Sequence, residues 1–490
     1  MNNLLEKLEL DYLLVNSTNE YLVEYSLLEE NARYTLTGFS GSTGDALVTK
    51  DKIYLFVDGR YHIQAEEEVF DNITVVKLQL GQNQDDEIRK ILDKNKVLGI
   101  VAKKVSQARL EKFKGYKVKL LENDPINNFT KTHLQECTRV FPEILFDTKN
   151  PMFITNLEEV SYLSGLRDFS CENSSKIWAK LYCCEGKYKL FFTSSDVEEF
   201  LSSYQGKLQI DKNSISAYDY SLILNPIHKN SLVKTMKAIK TQGEINAYKK
   251  AFVATDNAVK SVRDYINNND CLSEYDIAEK LKEEFYKNGA KTTSFSPIVA
   301  INKNSALAHY NKNSKEIFLN DGDLVLIDCG AYFDSGLATD ITRVFVKGTP
   351  TKLQQKVYTQ VLKAFLNTFN SDWGTGFELD NLAHEILDDS IEGFVFNHGL
   401  GHGIGINVHE SPPSLNKGEV AKSKIEDNMT FTIEPGLYNS QYFGIRLENS
   451  CYKNGGKTYS FVKMGYEGKL IDFNLLTKQE KIWLKEFEIL

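Results

Sequence analysis

The sequence predicts a mixed α/β (α+β) protein of three domains, on three observations. Short β-rich runs alternate with helical stretches over residues 1–137, as in a mixed α/β domain. Residues 138–228 repeat that plan in shorter form, which indicates an internal duplication. Helical periodicity begins around residue 229 and strands and turns follow it, so we place a larger third domain over residues 229–490.

The composition is typical of a soluble globular protein, with 42% hydrophobic and 26% charged residues among 490. The net charge of −9 gives no electrostatic reason to expect a nucleic acid partner. No apolar run approaches the ~20 residues of a membrane helix, and the N-terminus lacks a basic segment with an apolar core. Seven cysteines without C-x-x-C spacing fit a reducing compartment. We therefore expect a cytoplasmic protein that binds neither nucleic acid nor membrane.

The first domain is predicted from β-branched and aromatic runs that turn residues separate. Its glycine-rich loop, GFSGSTG, lacks the Lys-Ser/Thr of a phosphate-binding loop, so we interpret it as a turn. The predicted strands are Asp11–Val15, Arg33–Leu36, Asp45–Val48 and Ile53–Phe56, and the predicted helix is Arg60–Glu68.

The helices of the third domain are predicted from apolar residues at helical spacing. A pair of helices is expected over residues 232–267, interrupted at Gln242-Gly243. Ser273 is a candidate N-cap, and Asp276 completes a pattern like a capping box. The further predicted helices are Ser273–Asn288, Lys352–Phe369 and Leu379–Ile391. His384 falls within the last of these, and we interpret it as structural.

The third domain is organised around Asp323–Phe345, two β-rich runs that flank the turn Phe333-Asp334-Ser335-Gly336. Each run carries a carboxylate where an apolar residue is expected, Asp328 in the first and Asp340 in the second. Buried carboxylates on neighbouring strands repel each other, and a divalent cation between them removes that cost. For this hairpin alone, a turn Asp beside a salt-bridged Asp is an equally good explanation.

Cys329 follows Asp328 directly and is a candidate nucleophile by position. Neighbouring side chains on a strand point to opposite faces, however. We therefore favour a structural role for this cysteine.

Further candidate ligands lie downstream, in a glycine-rich segment and at the ends of two β-rich runs. They are His398, His402, His409, Glu434 and Glu448. Taken singly, each acid has an ordinary explanation, because Glu434 ends a strand before a Pro-Gly turn and Glu448 is a possible partner of Arg446. Together with the two aspartates, one histidine and both glutamates form the ligand set of a dinuclear, carboxylate-bridged metal site.

The oxygen-rich ligand set favours a hard cation. We expect two divalent metal ions, with Mn²⁺ preferred and Co²⁺, Zn²⁺ or Fe²⁺ as alternatives. Such a pair bridges a water and lowers its pKa, so the predicted chemistry is metal-assisted hydrolysis by hydroxide.

Four motifs resemble those of the pita-bread metallopeptidases, the family of methionine aminopeptidase, prolidase, creatinase and aminopeptidase P. They are IDCGAYFDSGLATDITR, HGLGHGIGINVHE, TIEPGLY and GIRLE. The resemblance implies a pita-bread catalytic domain whose metal ligands are Asp328, Asp340, His402, Glu434 and Glu448.

The same resemblance implies further roles. Glu434 is implied to act also as the acid–base group, and His309 in ALAHY to contact substrate. His398 and His409 match the catalytic histidines that flank the ligand, and Arg446 is implied to orient Glu448. The first two ligands are twelve residues apart where the family pattern has eleven, and we place the extra residue in the 333–336 turn.

The N-terminal motifs TGFSGSTGDALVT and FVDGRYHIQA, with the ending LIDFNLLTKQEKIWLKEF, resemble the three-domain cytosolic type within the family. In that type two creatinase-like domains precede the catalytic one. The resemblance implies a Xaa-Pro aminopeptidase, which removes the N-terminal residue from peptides with proline at position two, and a homodimer. The alternatives are a prolidase, which cleaves Xaa-Pro dipeptides, a catalytically inactive peptide-binding module and a metal-free creatinase-type amidinohydrolase. The intact ligand set argues against the last two.

Overall fold

The computed structural model describes residues 2–79, 81–129, 136–144 and 150–490. The chain forms two compact units. Unit 1 comprises Met1–Gln135, Pro142–Leu166 and Ile177–Leu232, and unit 2 comprises Glu136–Phe141, Arg167–Lys176 and Val233–Leu490.

The elements are numbered in chain order. The helices are α1 (Asn2–Leu8), α2 (Ala32–Thr37), α3 (His62–Glu68), α4 (Gln84–Ile91), α5 (Gln107–Glu111), α6 (Leu157–Ser164), α7 (Ser194–Ser203), α8 (Ala217–Ser221), α9 (Leu232–Ala238), α10 (Gln242–Asn268), α11 (Glu274–Lys287), α12 (Lys352–Phe369), α13 (Gly376–Leu387) and α14 (Lys478–Leu484). The strands are β1 (Tyr12–Val15), β2 (Asp45–Val48), β3 (Ile53–Val57), β4 (Ile73–Lys77), β5 (Val97–Val101), β6 (Lys117–Leu121), β7 (Thr138–Arg139), β8 (Met152–Ile154), β9 (Leu166–Arg167), β10 (Lys180–Cys184), β11 (Lys187–Phe191), β12 (Lys207–Ile210), β13 (Asn225–His228), β14 (Thr292–Thr293), β15 (Ile298–Ile301), β16 (Leu324–Cys329), β17 (Ala331–Tyr332), β18 (Ile341–Val346), β19 (Gly401–His402), β20 (Ser414–Leu415), β21 (Thr430–Ile433), β22 (Gly436–Tyr438), β23 (Gly444–Arg446), β24 (Asn449–Asn454) and β25 (Lys457–Ser460).

Unit 1 contains two sheets that share one plan. The first has the strand order β4-β3-β2-β1-β5-β6 and the second the order β11-β10-β8-β12-β13. In the first sheet β1 pairs antiparallel with β2 and parallel with β5, and in the second β8 pairs antiparallel with β10 and parallel with β12. Five strands of the first sheet therefore have counterparts in the second, in agreement with the internal repeat predicted from the sequence.

One predicted strand of unit 1 is wrong, because residues 33–36 lie in helix α2. The Asn31 side chain accepts a hydrogen bond from the amide of Tyr34 and so caps the start of this helix. Gly38 ends it in the left-handed conformation, with a φ of 78°. These caps outweigh the β propensity of Tyr-Thr-Leu-Thr. The remaining predictions differ from the structure by a residue or two, as with β1, β3 and α3.

In unit 2 the predicted helices are present, Lys352–Phe369 with the predicted bounds and the others with shifted ends. The interruption lies at residues 239–241 rather than at Gln242-Gly243, which are the first residues of α10. Thr241 is the N-cap there, in a capping box with Glu244. Helix α13 begins at Gly376, three residues earlier than predicted, because Thr375 forms a similar box with Glu378. The capping box of Ser273 and Asp276 is confirmed.

Strands β15, β16 and β18 form an antiparallel sheet in unit 2. The predicted hairpin is confirmed as the β16–β18 pair, and β17 lies within its connection and pairs with β14. The amide of Gly336 donates to the carbonyl of Phe333 at 2.8 Å, which closes the predicted turn. Val361 of α12 belongs to the same buried apolar cluster as Leu326 of β16 and Val344 of β18.

Residues 167–176, which we call the strap, belong to unit 2 although their neighbours in the chain belong to unit 1. Ser175 Oγ donates to the carbonyl of Gly336 at 2.7 Å, in the hairpin connection. Lys176 Nζ donates to Asn407 Oδ1 at 2.8 Å. The strap is thereby fastened to two loops of unit 2.

The division into three domains stays a prediction, since the structure is described as two units. Among the described helices, none is long and apolar enough to cross a membrane.

Candidate metal centre

The acidic candidate ligands of unit 2 lie at strand ends. Asp328 lies in β16, Asp340 directly precedes β18, Glu434 directly follows β21, and Glu448 separates β23 from β24. His402 is the last residue of the short strand β19. Strands from four different pairs therefore direct these side chains to one region.

Asp340, His402 and Glu448 form a cluster in which one potential ligand atom from each residue lies within 4.8 Å of the others. His402 Nε2 is 3.6 Å from Asp340 Oδ2 and 3.4 Å from Glu434 Oε1. Four of the five predicted ligands are thus brought together around the imidazole nitrogen.

The tautomer of His402 is fixed by the backbone. Its Nδ1 lies 3.0 Å from the carbonyl oxygen of Gly403, which can only accept a hydrogen bond. Nδ1 therefore carries a proton, and Nε2 faces the carboxylates. Metal-binding imidazoles are commonly oriented in this way.

Asp328 is joined to the centre through Arg446. The Nη2 of this buried arginine donates to Asp328 Oδ2 at 2.5 Å, and its Nε donates to Thr342 Oγ1 at 3.2 Å. The hydroxyl of Thr342 in turn donates to Glu448 Oε2 at 2.7 Å. Arg446 and Thr342 therefore hold one oxygen of each carboxylate and leave the other oxygen to the centre.

Three carboxylate oxygens of the centre are buried and have no hydrogen-bond partner among the residues that the structure describes. They are Asp328 Oδ1, Asp340 Oδ1 and Glu448 Oε1. A buried polar atom without a partner is costly, and a cation can supply the missing interaction. The residues present therefore fit a divalent metal ion.

The raised pKa values of two carboxyl groups also indicate a site for a cation. Burial raises the pKa of Asp340 well above its usual range, and the nearby carboxylates of Glu448 and Asp328 raise it further. Burial likewise raises the pKa of Glu448, with Glu434 and Asp328 adding to the effect. In the metal-free protein, burial and mutual repulsion therefore disfavour the state in which all of these acids are ionised at once. A bound cation would allow them to ionise.

The other predicted histidines occupy different settings. The rings of His409 and His402 are 4.3 Å apart between centroids, so His409 lies at the centre. His398 is buried, and its Nδ1 donates to the carbonyl of Gly399 at 2.8 Å. His309 lies half-buried in the turn after the 3₁₀ helix Asn302–Ala306, and its contact with substrate stays a prediction.

Thr342 and Tyr438 contact the candidate residues, and the sequence reasoning missed both. Arg446 Nη1 donates to the Tyr438 hydroxyl at 2.9 Å, and this hydroxyl lies 2.8 Å from His398 Nε2. Burial raises the pKa of Tyr438 to about 12, so it keeps the proton that it donates to His398. Each residue lies within a motif already singled out, and that position was the available signal.

Cys329 is fully buried beside Asp328. Burial raises the pKa of its thiol well above the usual value, and the charges of Asp328 and Asp340 add to this shift. A protonated, inaccessible thiol is a poor nucleophile, which favours the structural role predicted from the sequence.

Two family models match the chain. Residues 246–452 match metallopeptidase family M24, and residues 1–127 match the creatinase/prolidase N-terminal domain. The first match contains all five predicted ligands.

The chain is similar to curated proteins over all or part of its length. It is 26% identical to the Probable Xaa-Pro aminopeptidase P of Coprinopsis cinerea, over 99% of this chain and 93% of that protein. It is 35% identical to the Xaa-Pro dipeptidase of Pyrococcus horikoshii over 46% of this chain and 64% of that protein.

The fold is similar to that of a solved structure, the X-prolyl aminopeptidase from Caenorhabditis elegans, described as a cytosolic enzyme with a di-nuclear active site. The TM-score is 0.87 at 20% identity, over 97% of this chain and 90% of the other. The predicted fold class, a pita-bread domain preceded by creatinase-like mixed α/β structure, is confirmed by this likeness and by the family matches.

Proposed function

The chain belongs to metallopeptidase family M24, and from this premise we propose that it is a metal-dependent Xaa-Pro aminopeptidase. It would release the N-terminal residue from peptides whose second residue is proline. The main support for this substrate specificity is the similarity, over 99% of the chain, to a protein named Probable Xaa-Pro aminopeptidase P. The cluster of Asp340, His402 and Glu448 supports the hydrolytic chemistry.

We further propose that the centre holds two divalent ions, Mn²⁺ by preference, on the five predicted ligands. The di-nuclear active site described for the C. elegans structure supports this number. The oxygen-rich donor set supports a hard cation. When bound, such ions polarise a scissile carbonyl and lower the pKa of water.

Glu434 is suited to handle protons in this reaction. Its side chain is 17% exposed, whereas that of Asp340 is 5% exposed. Glu434 therefore lies on the side of the centre that water and substrate can reach. A carboxylate there can take a proton from the attacking water and pass it to the leaving proline nitrogen.

His409 and His398 would act in different ways. His409 packs against His402 and is only half-buried, so its ring can donate to the oxyanion that forms at the scissile carbonyl. His398 is held between Gly399 and Tyr438. It would support the substrate pocket, and His309, which precedes the proposed ligands in the sequence, would contact substrate.

A prolidase is the second candidate, because part of this chain is 35% identical to a protein named Xaa-Pro dipeptidase. That similarity covers 46% of the chain, however, whereas similarity to the aminopeptidase covers 99%. A prolidase must recognise a free carboxylate directly after proline, and an aminopeptidase must accept further residues there.

Hydrolysis of Arg-Pro-Pro and of Arg-Pro tests the proposal. The purified full chain is stripped of metal, and Mn²⁺ is then added back. Mn²⁺-dependent release of Arg from the tripeptide is the expected result. Glu434→Gln should abolish it, and the exposed Asp334→Asn, whose side chain is 92% exposed, should not.

The other outcomes each reject the proposal. Cleavage of the dipeptide alone would assign a prolidase. No cleavage of either peptide by a protein that binds Mn²⁺ would favour an inactive peptide-binding module.

Three finer proposals accompany this function. We propose that the enzyme is cytoplasmic and that it forms a homodimer. We also propose that residues 1–137 and 138–228 fold as two creatinase-like domains, which the shared plan of their two sheets supports.

A further inference from the structure

We propose that Glu410 is a positioning residue for the metal centre, and that Lys237 and Lys240 clamp it in place. Through this clamp the loop 403–410 would hold His409 and the Nε2 atom of His402 in register with the acidic ligands. The inference rests on the proposed function for its catalytic consequence.

The clamp is a buried cluster of one carboxylate and two ammonium groups. Lys240 Nζ is 2.9 Å from Glu410 Oε1, and Lys237 Nζ is 3.2 Å from Glu410 Oε2. The side chains of all three residues are at most 3% exposed. Burying three charges in one place is expensive unless each is well paired, so geometry here is tightly constrained.

The carboxylate of Glu410 also organises its own loop. Its Oε2 accepts a hydrogen bond from the amide of Ile406 at 2.9 Å. A Cβ added at Gly405 would lie 2.1 Å from the carboxylate oxygens, so only glycine allows the backbone to approach so closely. The loop is therefore wrapped around this carboxylate.

The backbone of Glu410 connects the clamp to His402. Its amide donates to the carbonyl of Gly403 at 2.8 Å. The same carbonyl oxygen accepts from His402 Nδ1 at 3.0 Å, the bond that fixes the imidazole tautomer. Displacing Glu410 would therefore disturb the acceptor that orients His402, as well as its own chain neighbour His409.

The lysines anchor the loop from a distant part of the chain. Lys237 lies in helix α9, and Lys240 follows that helix just before the N-cap of α10. The amide of Lys240 donates to the carbonyl of Asn428 at 2.9 Å, and its Nζ donates to the carbonyl of Lys237 at 2.5 Å. The ammonium group of Lys240 is thus held by backbone as well as by Glu410, which makes it a rigid support.

Glu410→Gln tests the clamp, with Glu467→Gln as its matched control. Both glutamates are buried in unit 2 and ion-paired, Glu467 with Arg263 at 3.5 Å, but Glu467 lies outside the 403–410 loop. Both exchanges keep the side-chain size and remove one charge. The measurements are Mn²⁺ affinity of the metal-stripped full chain by calorimetry, and kcat and KM for Arg-Pro-Pro.

For Glu410→Gln we expect the Kd for Mn²⁺ to rise about 10-fold or more, since losing support of a ligand typically costs 10–100-fold. We expect kcat to fall about 10-fold or more with KM within about 3-fold, because ligand geometry matters most in the transition state. Glu467→Gln should stay within about 3-fold of wild type in all three quantities. Equal behaviour of the two variants would overturn the proposal.

A second variant separates positioning from loss of stability. Glu410→Gln combined with Lys240→Met restores the net charge of the cluster, because it removes one of the two ammonium groups that lose their carboxylate, but it leaves the loop without its anchor. We expect the double variant to recover part of the lost thermal stability and to keep the low kcat and weak Mn²⁺ binding. Recovery of both functions would show that the cluster contributes stability alone. If wild type binds Mn²⁺ but cleaves neither peptide, the proposed function fails, and the Mn²⁺ affinities still decide the clamp.

Discussion

The guanidinium of Arg343 donates a hydrogen bond to the backbone carbonyl of Glu448, with 2.7 Å between Nη1 and the oxygen. Arg343 lies in β18 and is fully buried. It also donates to the carbonyls of Gly465 and Met464 and to Asn449 Oδ1. A single cation thus ties the segment that carries Glu448 to the loop at residues 464–465.

Arg343→Met should destabilise the protein and weaken metal binding. The exchange leaves several buried oxygens without a donor, each at a cost of about 1–3 kcal/mol, so we expect a loss of about 4 kcal/mol or more in the free energy of unfolding. Urea unfolding followed by near-UV circular dichroism measures this loss. Lys291→Met is the control, because the side chains of Lys291 and its partner Asp334 are 46% and 92% exposed, and we expect it to cost less than about 1 kcal/mol. Similar losses in both variants would contradict the assigned role of Arg343.

Asp340→Asn should stabilise the metal-free protein while abolishing its metal binding. The exchange removes one of the carboxylates that repel each other in the buried cluster, so we expect a gain of about 1 kcal/mol without metal. Mn²⁺ affinity should fall more than about 100-fold, since even indirect support is worth 10–100-fold. Thermal unfolding with and without Mn²⁺ measures both effects. A lower melting temperature in the metal-free variant would contradict the repulsion.

The stability of the metal-free protein should depend on pH through Asp340 and Glu448. Their pKa values are raised in the folded state, above the unfolded values near 4. The folded state therefore holds protons that the unfolded state releases, and their stabilising contribution is lost as pH rises from about 4 through the folded pKa values. The slope should differ from that of Asp340→Asn by up to about 1.4 kcal/mol per pH unit. Saturating Mn²⁺ should remove this difference, because the metal displaces the protons.

Thiol accessibility distinguishes the two roles considered for Cys329. Cys271 is exposed and should react with iodoacetamide in the folded protein, whereas Cys329 and Cys451 are buried with raised pKa values and should react only after unfolding. Peptide mass spectrometry locates the labels. Cys329→Ala should keep kcat within about 2-fold of wild type. A loss comparable to that of Glu434→Gln would restore the nucleophile interpretation.

The hairpin and the capped helices were predictable because their signals are local. Asp328 and Asp340 stand out as carboxylates in apolar runs, and Ser273 with Asp276 is a capping pattern readable over four residues. Residues 33–36 were wrongly predicted as a strand because only the local β propensity was considered. The helix-capping contribution of Asn31 was not weighed against it.

The clamp and the Arg343 contacts could not be predicted, because they join residues far apart in the chain. Lys240 and Glu410 are separated by 170 positions, and Arg343 and Glu448 by 105. A lysine in an amphipathic helix is ordinarily a solvated residue, and nothing in the local pattern marks Lys237 as buried. Pairings of this kind depend on the tertiary fold.

Because the strap belongs to unit 2, this unit is formed from segments that are not contiguous in the sequence. A fragment that begins at residue 229 would contain all the proposed ligands but would leave Gly336 and Asn407 without Ser175 and Lys176. During synthesis the strap leaves the ribosome more than 200 residues before Asn407. Its contacts with the two loops can therefore form only late in synthesis. Domain dissection of this enzyme should therefore retain the strap, for instance by supplying it as a separate peptide or by fusing it ahead of residue 233 through a linker.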